Sequence, residues 1–172
     1  MQTVKTLILI VGTFCMMFSC SNKTNKSFEA EFTGEYINVF TGDDVENCND
    51  VYTCRVVVNY KGTSTVLGDF SGTFNFCACG PNDEYADSLS KMVFAKGDTL
   101  FVTCKGKVIG GKLPDHPEYV TSYWRDDFLI LGGTGRFEGA TGSGKTDDYN
   151  SSEDPNSHHQ WKGTITLVKG KK

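Results

Sequence analysis

Three groups of residues in this 172-residue chain have types and spacings that could do chemistry. Gly139 to Thr146 reads GATGSGKT. It fits G-x-x-x-x-G-K-[ST], in which backbone N–H groups cradle phosphate oxygens and the lysine reaches the outer phosphates. Trp124 to Asp127 reads WRDD. An arginine beside two carboxylates can hold a polar ligand group or shift a carboxylate for proton transfer. Cys48, Cys54, Cys77, Cys79 and Cys104 can form disulfides or present thiolates to a metal.

The phosphate-loop reading fails on its surroundings. That loop needs a buried strand directly before it and a helix directly after it, whose N-terminal partial charge faces the phosphates. Here the apolar run Phe128–Leu131 ends well short of Gly139, and Thr146 is followed by DDYNSSEDPN, a poor and acidic helix start. No nucleotide is expected. A metal or other cofactor is not expected either. The spacings C-x₅-C and C-x-C depart from C-x₂-C zinc knuckles. His158 and His159 would leave a strand on opposite sides. DDVENCND (43–50) is rich in oxygen ligands but lacks the D-x-[DN]-x-[DN]-G calcium spacing. With 17 basic against 21 acidic residues, a formal charge of −4, the composition also argues against a nucleic-acid binder, which would normally show a basic face.

Five cysteines make an odd set, so one stays free unless it pairs between molecules. Cys48 and Cys54 flank a short loop and can pair with each other. Cys77 and Cys79 share one strand face, from which either can reach Cys104 on a neighbouring strand.

The N-terminal stretch MQTVKTLILIVGTFCMMFSC has one lysine, Lys5, then an apolar run from Leu7 to Phe18. Twelve or so residues is signal-peptide length, whereas a spanning helix needs ~20. The run ends in MFSC, Met17 to Cys20, which resembles the lipobox of bacterial lipoproteins although Met17 and Phe18 depart from the usual residues. The resemblance implies cleavage before Cys20 and a diacylglycerol on its sulfur. It further implies membrane anchoring through that lipid, in a bacterial cell envelope. No acidic run follows Cys20, which favours a periplasm-facing side. Such a compartment permits disulfides. Residues 21–27, SNKTNKS, read as a flexible tether. That leaves 28–170 as a single domain.

The elements that must position these residues are strands. Period-2 alternation marks 28–40, 51–60, 66–79, 99–111, 119–133 and 158–170. Residues 80–91 read as a loop with at most one helical turn, and 146–157 as a polar loop. In the last strand, Trp161, Thr164, Thr166 and Val168 are assigned to a wet face, with Ile165 and Leu167 opposite. No amphipathic helix of useful length appears. An all-β chain of this kind makes a sandwich or a closed barrel.

FLILGGTGRFEGATGSG, Phe128 to Gly144, resembles the allene oxide cyclase-like and dirigent-like β-barrel families. The matching positions are Gly132, Gly133, Thr134, Gly135, Arg136, Phe137, Gly139, Ala140 and Gly142. The resemblance implies one eight-stranded antiparallel closed barrel of calycin-like shape. Gly132, Gly133 and Gly135 would form a tight hairpin, and Phe137 would plug one barrel end. Plant members cyclise an epoxide or steer radical coupling inside an apolar cavity, but none of their active-site residues maps onto this chain. The residues placed to line such a cavity are Trp124, Arg125, Asp126, Asp127 and Phe137, with Glu35 and Tyr36 on the first strand. Three functions follow as expectations. The barrel binds a small, mostly apolar molecule or another envelope protein; it is a cyclase- or dirigent-type enzyme; or it is an interaction protein with a filled interior. The oligomeric state is not legible.

Overall fold

The computed structural model describes residues 23–42, 45 and 48–169. Cys20, the apolar run before it and much of the acidic stretch 43–50 lie outside these residues. Eleven strands follow one another: β1 (Lys23–Thr41), β2 (Cys54–Ser64), β3 (Gly68–Ala78), β4 (Glu84–Phe94), β5 (Thr99–Cys104), β6 (Gly106–Lys107), β7 (Ile109–Gly110), β8 (Val120–Trp124), β9 (Asp127–Gly133), β10 (Thr141–Ser151) and β11 (Ser157–Val168). Eight of them run β1-β2-β3-β4-β5-β9-β10-β11, and β11 pairs back onto β1. All pairings are antiparallel. The sheet therefore closes into the expected eight-stranded barrel, which removes its open edges. The three short strands β6, β7 and β8 are additions.

Alternation explains most of the wall. In β2, Cys54, Val56, Val58 and Tyr60 point inward and are buried, while Asn59 and Lys61 face water. Phe28, Phe128, Phe137, Leu100 and Ile165 are completely buried. Each such side chain contributes about 1.5–3 kcal/mol relative to exposure. Among the described residues, every core residue lies between Phe28 and Ile165.

The glycine-rich motif behaves as a hairpin. Gly132 and Gly135 have φ of +111° and +57°, values that favour glycine. Gly133 is needed for closeness instead: an added Cβ would collide with the Thr99 carbonyl and with Phe137. Past the turn, GATGSGKT runs into β10. Thr141 to Thr146 pair antiparallel with β11, and no helix follows. A Cβ on Gly144 would strike the Phe128 ring. The motif is thus thin strand packed on an aromatic wall, not a phosphate cradle.

Five sequence expectations need correction. Lys23 to Ser27, assigned to the tether, are strand: they pair with Thr164–Val168 of β11. All five are exposed, so this part of β1 carries no apolar alternation to read. The segment 80–91 is not a loop, because β4 begins at Glu84. Its inward positions include Ser88 and Ser90, and Asp87 at φ +50° interrupts the alternation. The polar segment 146–157 is strand as far as Ser151. The stretch 119–133 is broken at Arg125–Asp126, although β8 and β9 lie in succession along the same strand, β10. Finally, Trp161 shares the inward face with Ile165, and both are essentially inaccessible to water.

Candidate functional site

The barrel has two unlike ends. At the closed end the β9–β10 turn folds Phe137 inward. Its ring lies 5.1 Å from Phe94, and the Arg136 guanidinium covers both rings. Phe137 thus sits where a plug would, but far from the polar groups described next.

The middle layer is aromatic. Phe128 stacks on Trp161 at 5.2 Å, and Phe32 meets Trp161 edge-on at 5.1 Å. Trp161 marks the boundary with the other end, the mouth. Its indole body is in the apolar layer, while its N–H donates to both oxygens of Asp148, at 3.1 and 3.2 Å.

From Asp148 a chain of buried polar groups leads toward the mouth. His159 Nδ1 is 3.2 Å from Asp148 Oδ1, off the line of a hydrogen bond, so this nitrogen is left without a hydrogen-bond partner. The ring lies flat on Phe32 with centroids 4.4 Å apart. On its far side Nε2 is 2.8 Å from Ser157 Oγ. Ser157 Oγ is also 3.2 Å from the Gly34 carbonyl, to which it can donate. Two proton arrangements fit: Ser157 donates to Nε2, or Nε2–H donates to Ser157 while Ser157 donates to Gly34. Asp148, His159 and Ser157 are at most 5% exposed. Burying polar groups of this kind is costly unless they are paired. The strands explain why they meet. Asp148 pairs with His159 across β10 and β11, and residues 157, 159 and 161 share the inward face of β11.

Ser157 and His159 line a pocket of about 40 Å³ together with Tyr36, Phe74, Tyr85 and Trp124. Tyr36 stands at its rim, 41% exposed, and donates its hydroxyl to Asn150 Oδ1 at 3.1 Å. Burial of the hydroxyl end raises its pKa, and the Asn150 and Ser157 hydrogen bonds oppose that rise. Beside the pocket, Tyr85 donates to Asp126 Oδ2 at 2.7 Å. Burial raises the Asp126 carboxyl above its ordinary value, against the hydrogen bonds from Tyr85 and the Lys107 backbone. Cys104 is buried nearby, and desolvation pushes its thiol up to about 12. A larger hollow, of about 510 Å³, lies beside outward-facing Glu31, Lys61 and His158. It is an open trough, and the buried polar chain makes the small mouth pocket the better candidate.

The WRDD residues separate. Trp124 faces inward and lines the pocket, and Asp126 is linked to the pocket wall through its hydrogen bond from Tyr85. Arg125 and Asp127 do not line the cavity. Arg125 forms a two-pronged contact with Asp147, at 2.7 and 3.0 Å, and reaches Asp115, while Asp127 pairs with Lys145. Neighbouring side chains of an extended backbone alternate, so the four could not converge. Glu35 is exposed, and only Tyr36 of that pair joins the site. His158 and His159 do diverge: His158 stacks outside on Tyr149 and lies 3.5 Å from Asp154.

The cysteines pair Cys48–Cys77 and Cys54–Cys79, leaving Cys104 free. The Cys48–Cys54 and Cys104 pairings weighed from spacing do not form. Cys54 lies opposite Ala78, which brings it next to Cys79 across β2 and β3. Ser157, His159 and Asp148 were missed in the sequence. The available signal for Ser157 and His159 was their parity with Trp161 along β11, obscured by the assignment of Trp161 to the wet face, and Asp148 lay in a segment read as loop.

No family model matches the chain, and no curated protein matches it. Solved structures do. The pterocarpan synthase dirigent protein GePTS1 superposes with a TM-score of 0.55 over 87% of this chain and 93% of its own, at 13% identity. The pterocarpan synthase dirigent protein PsPTS1 gives a TM-score of 0.50 over 87% and 97%, also at 13% identity. At that identity the likeness establishes the fold: this is a dirigent-like barrel.

Proposed function

We propose that this dirigent-like barrel is a lipid-anchored envelope protein that binds a small molecule at its mouth, not at its centre. The observation that carries the binding reading is the pocket's composition: aromatic walls with a buried Ser157–His159 pair at the base and Tyr36 at the rim. Apolar walls with a few convergent polar groups are the usual make-up of ligand sites. Its volume of about 40 Å³ sets the mode. A water occupies about 30 Å³ of liquid, and whole-ligand cavities run to several hundred. The pocket therefore takes one polar substituent, such as a hydroxyl or carbonyl, and the rest of the ligand lies on the rim. Ile37 and Val39 on β1 offer apolar surface there, at 50% and 52% exposure. The MFSC motif ending in Cys20 supports the lipid anchor and the envelope address.

Native mass spectrometry of the purified barrel is the test. Wild type is expected to retain a small molecule from cell extract, and Tyr36→Ala and His159→Ala to lose it. Retention by neither wild type nor variants, or equal retention by all, would remove the reading. For the anchor, Cys20→Ser is expected to move the protein from membranes to the soluble fraction.

The solid aromatic interior favours a second reading, a filled barrel that acts by contact with another envelope protein. An enzyme of dirigent or cyclase type is a third. His159 could move a proton to or from Ser157, but Ser157 is 1% exposed and a substrate would have to open the rim. Binding therefore fits the geometry better than turnover.

A further inference from the structure

The charges of the barrel are sorted by end. At the closed end, β1 and β11 continue as a ribbon past the last residue of β2, Ser64, which pairs with Ala30. Lys23 and Lys26 stand on this ribbon, Lys169 follows it, and Lys96 tips the β4–β5 turn; all four are exposed. The exposed acids there are Glu29, which faces the exposed Lys162 across the ribbon, Asp69 and Glu138, while Asp98 lies 3.6 Å from Arg136. The mouth is the reverse. Glu35, Asp50, Asp83, Glu84, Asp87 and Glu153 are exposed around it, against a few cations such as Lys105 and Lys107. A chain of net charge −4 thus presents a locally basic closed end.

We propose that the closed end is a docking face for an anionic phospholipid bilayer, which holds the barrel upright with its mouth toward the aqueous side. Charge complementarity chooses the partner, and the path of the chain fixes which end meets it. The placement rests on the lipid-anchor reading, because Cys20 precedes Lys23 by three positions. Three residues span at most ~11 Å. An acylated Cys20 therefore brings Lys23 to about one Debye length from the headgroups, where its attraction is only partly screened, and Lys26 follows three residues further along the ribbon. One acyl signal together with basic residues is a known physical route to stable anchoring. Val66, on the β2–β3 turn at the same end, is 36% exposed and adds apolar contact. In this pose the Tyr36 pocket opens away from the membrane, so its ligand arrives from the aqueous phase.

The experiment uses residues 21–172, which contain every core residue described above and carry no acyl chain. Sedimentation with phosphatidylcholine vesicles is compared with mixed phosphatidylcholine–phosphatidylglycerol vesicles. Binding is expected to the mixed vesicles alone and to weaken as salt is raised. Lys23→Gln, Lys26→Gln, Lys96→Gln and Lys169→Gln should each lower it roughly fivefold, as for a lysine near an anionic surface. Lys105→Gln and Lys107→Gln at the mouth should leave it unchanged, and unaltered melting of each variant shows that it folds. Equal binding to both vesicle types, no binding to either, or equal losses from mouth and closed-end variants would overturn the proposal. Membrane fractionation of full-length Cys20→Ser reports separately on the anchor, so failure of the anchor and failure of the basic face are distinguishable.

Discussion

At the closed end Phe28, Leu100, Phe137 and Ile165 are shut away from water without a polar group among them. At the mouth, Asp148, Ser157 and His159 are also buried, yet Ser157 and His159 share a hydrogen bond and Asp148 accepts from Trp161. Both disulfides are also at the mouth, fastening Cys77 and Cys79 at the end of β3 to Cys48 and Cys54. One end is held by apolar packing, and the other by covalent staples around a polar network. Packing is indifferent to chemistry, whereas a polar network in an apolar pocket lowers stability while giving a ligand something to recognise. The difference teaches that the apolar packing and the proposed ligand pocket occupy opposite ends of this barrel, with Trp161 joining them.

The comparison can be broken most forcefully at the closed end. Phe137→Ala should cost about 3–5 kcal/mol in chemical denaturation, through lost burial and the cavity left behind. Ligand retention at the mouth should survive wherever the variant remains folded; coupled loss would mean that the ends are not separate. Next is the staple. Cys54→Ala with Cys79→Ala should lower stability by roughly 3 kcal/mol, from the larger conformational freedom of the unfolded chain. Unchanged unfolding midpoints under reducing and oxidising conditions would contradict the mouth's need for it.

A smaller effect separates charge from hydrogen bonding at Asp148. Asp148→Ala leaves the Trp161 N–H buried and unmatched, a cost of about 1–3 kcal/mol. Asp148→Asn keeps an acceptor for that N–H and should cost less. Equal losses would assign the effect to the carboxylate's charge. The smallest effect is in pH. The folded Asp126 carboxyl has a raised pKa, so the native state holds its proton where the unfolded state releases it. Stability should therefore fall as pH rises from about 4 through the folded pKa, being greatest below that window. Asp126→Asn should flatten this slope in a pH series of urea titrations.

Much of the wall was legible. Segments such as 51–60 and 66–79 bury one face, so their alternation appears directly in the residue types. The Gly132–Gly142 motif was equally readable, because tight backbone geometry admits few residues besides glycine. The site was not. Its strands carry Ser88, Ser90, Asp148, Ser157 and His159 inward, and inward polar residues look like loop. The β4 segment was lost for that reason, as were the last residues of β10. WRDD drew notice as a charge cluster, but two of its members serve the outer surface.

Composition and local pattern by themselves determined an all-β chain with a glycine hairpin and disulfide-capable cysteines. These properties depend on residues near one another in sequence. Only the tertiary structure decided which cysteine stays free, which charges face the pocket, and that Asp148, His159 and Ser157 form one chain. Those choices depend on barrel register, where a shift of one residue exchanges the inside for the outside. Register is set by the closure of β11 onto β1, a contact between the two ends of the barrel's own sequence that no local pattern encodes.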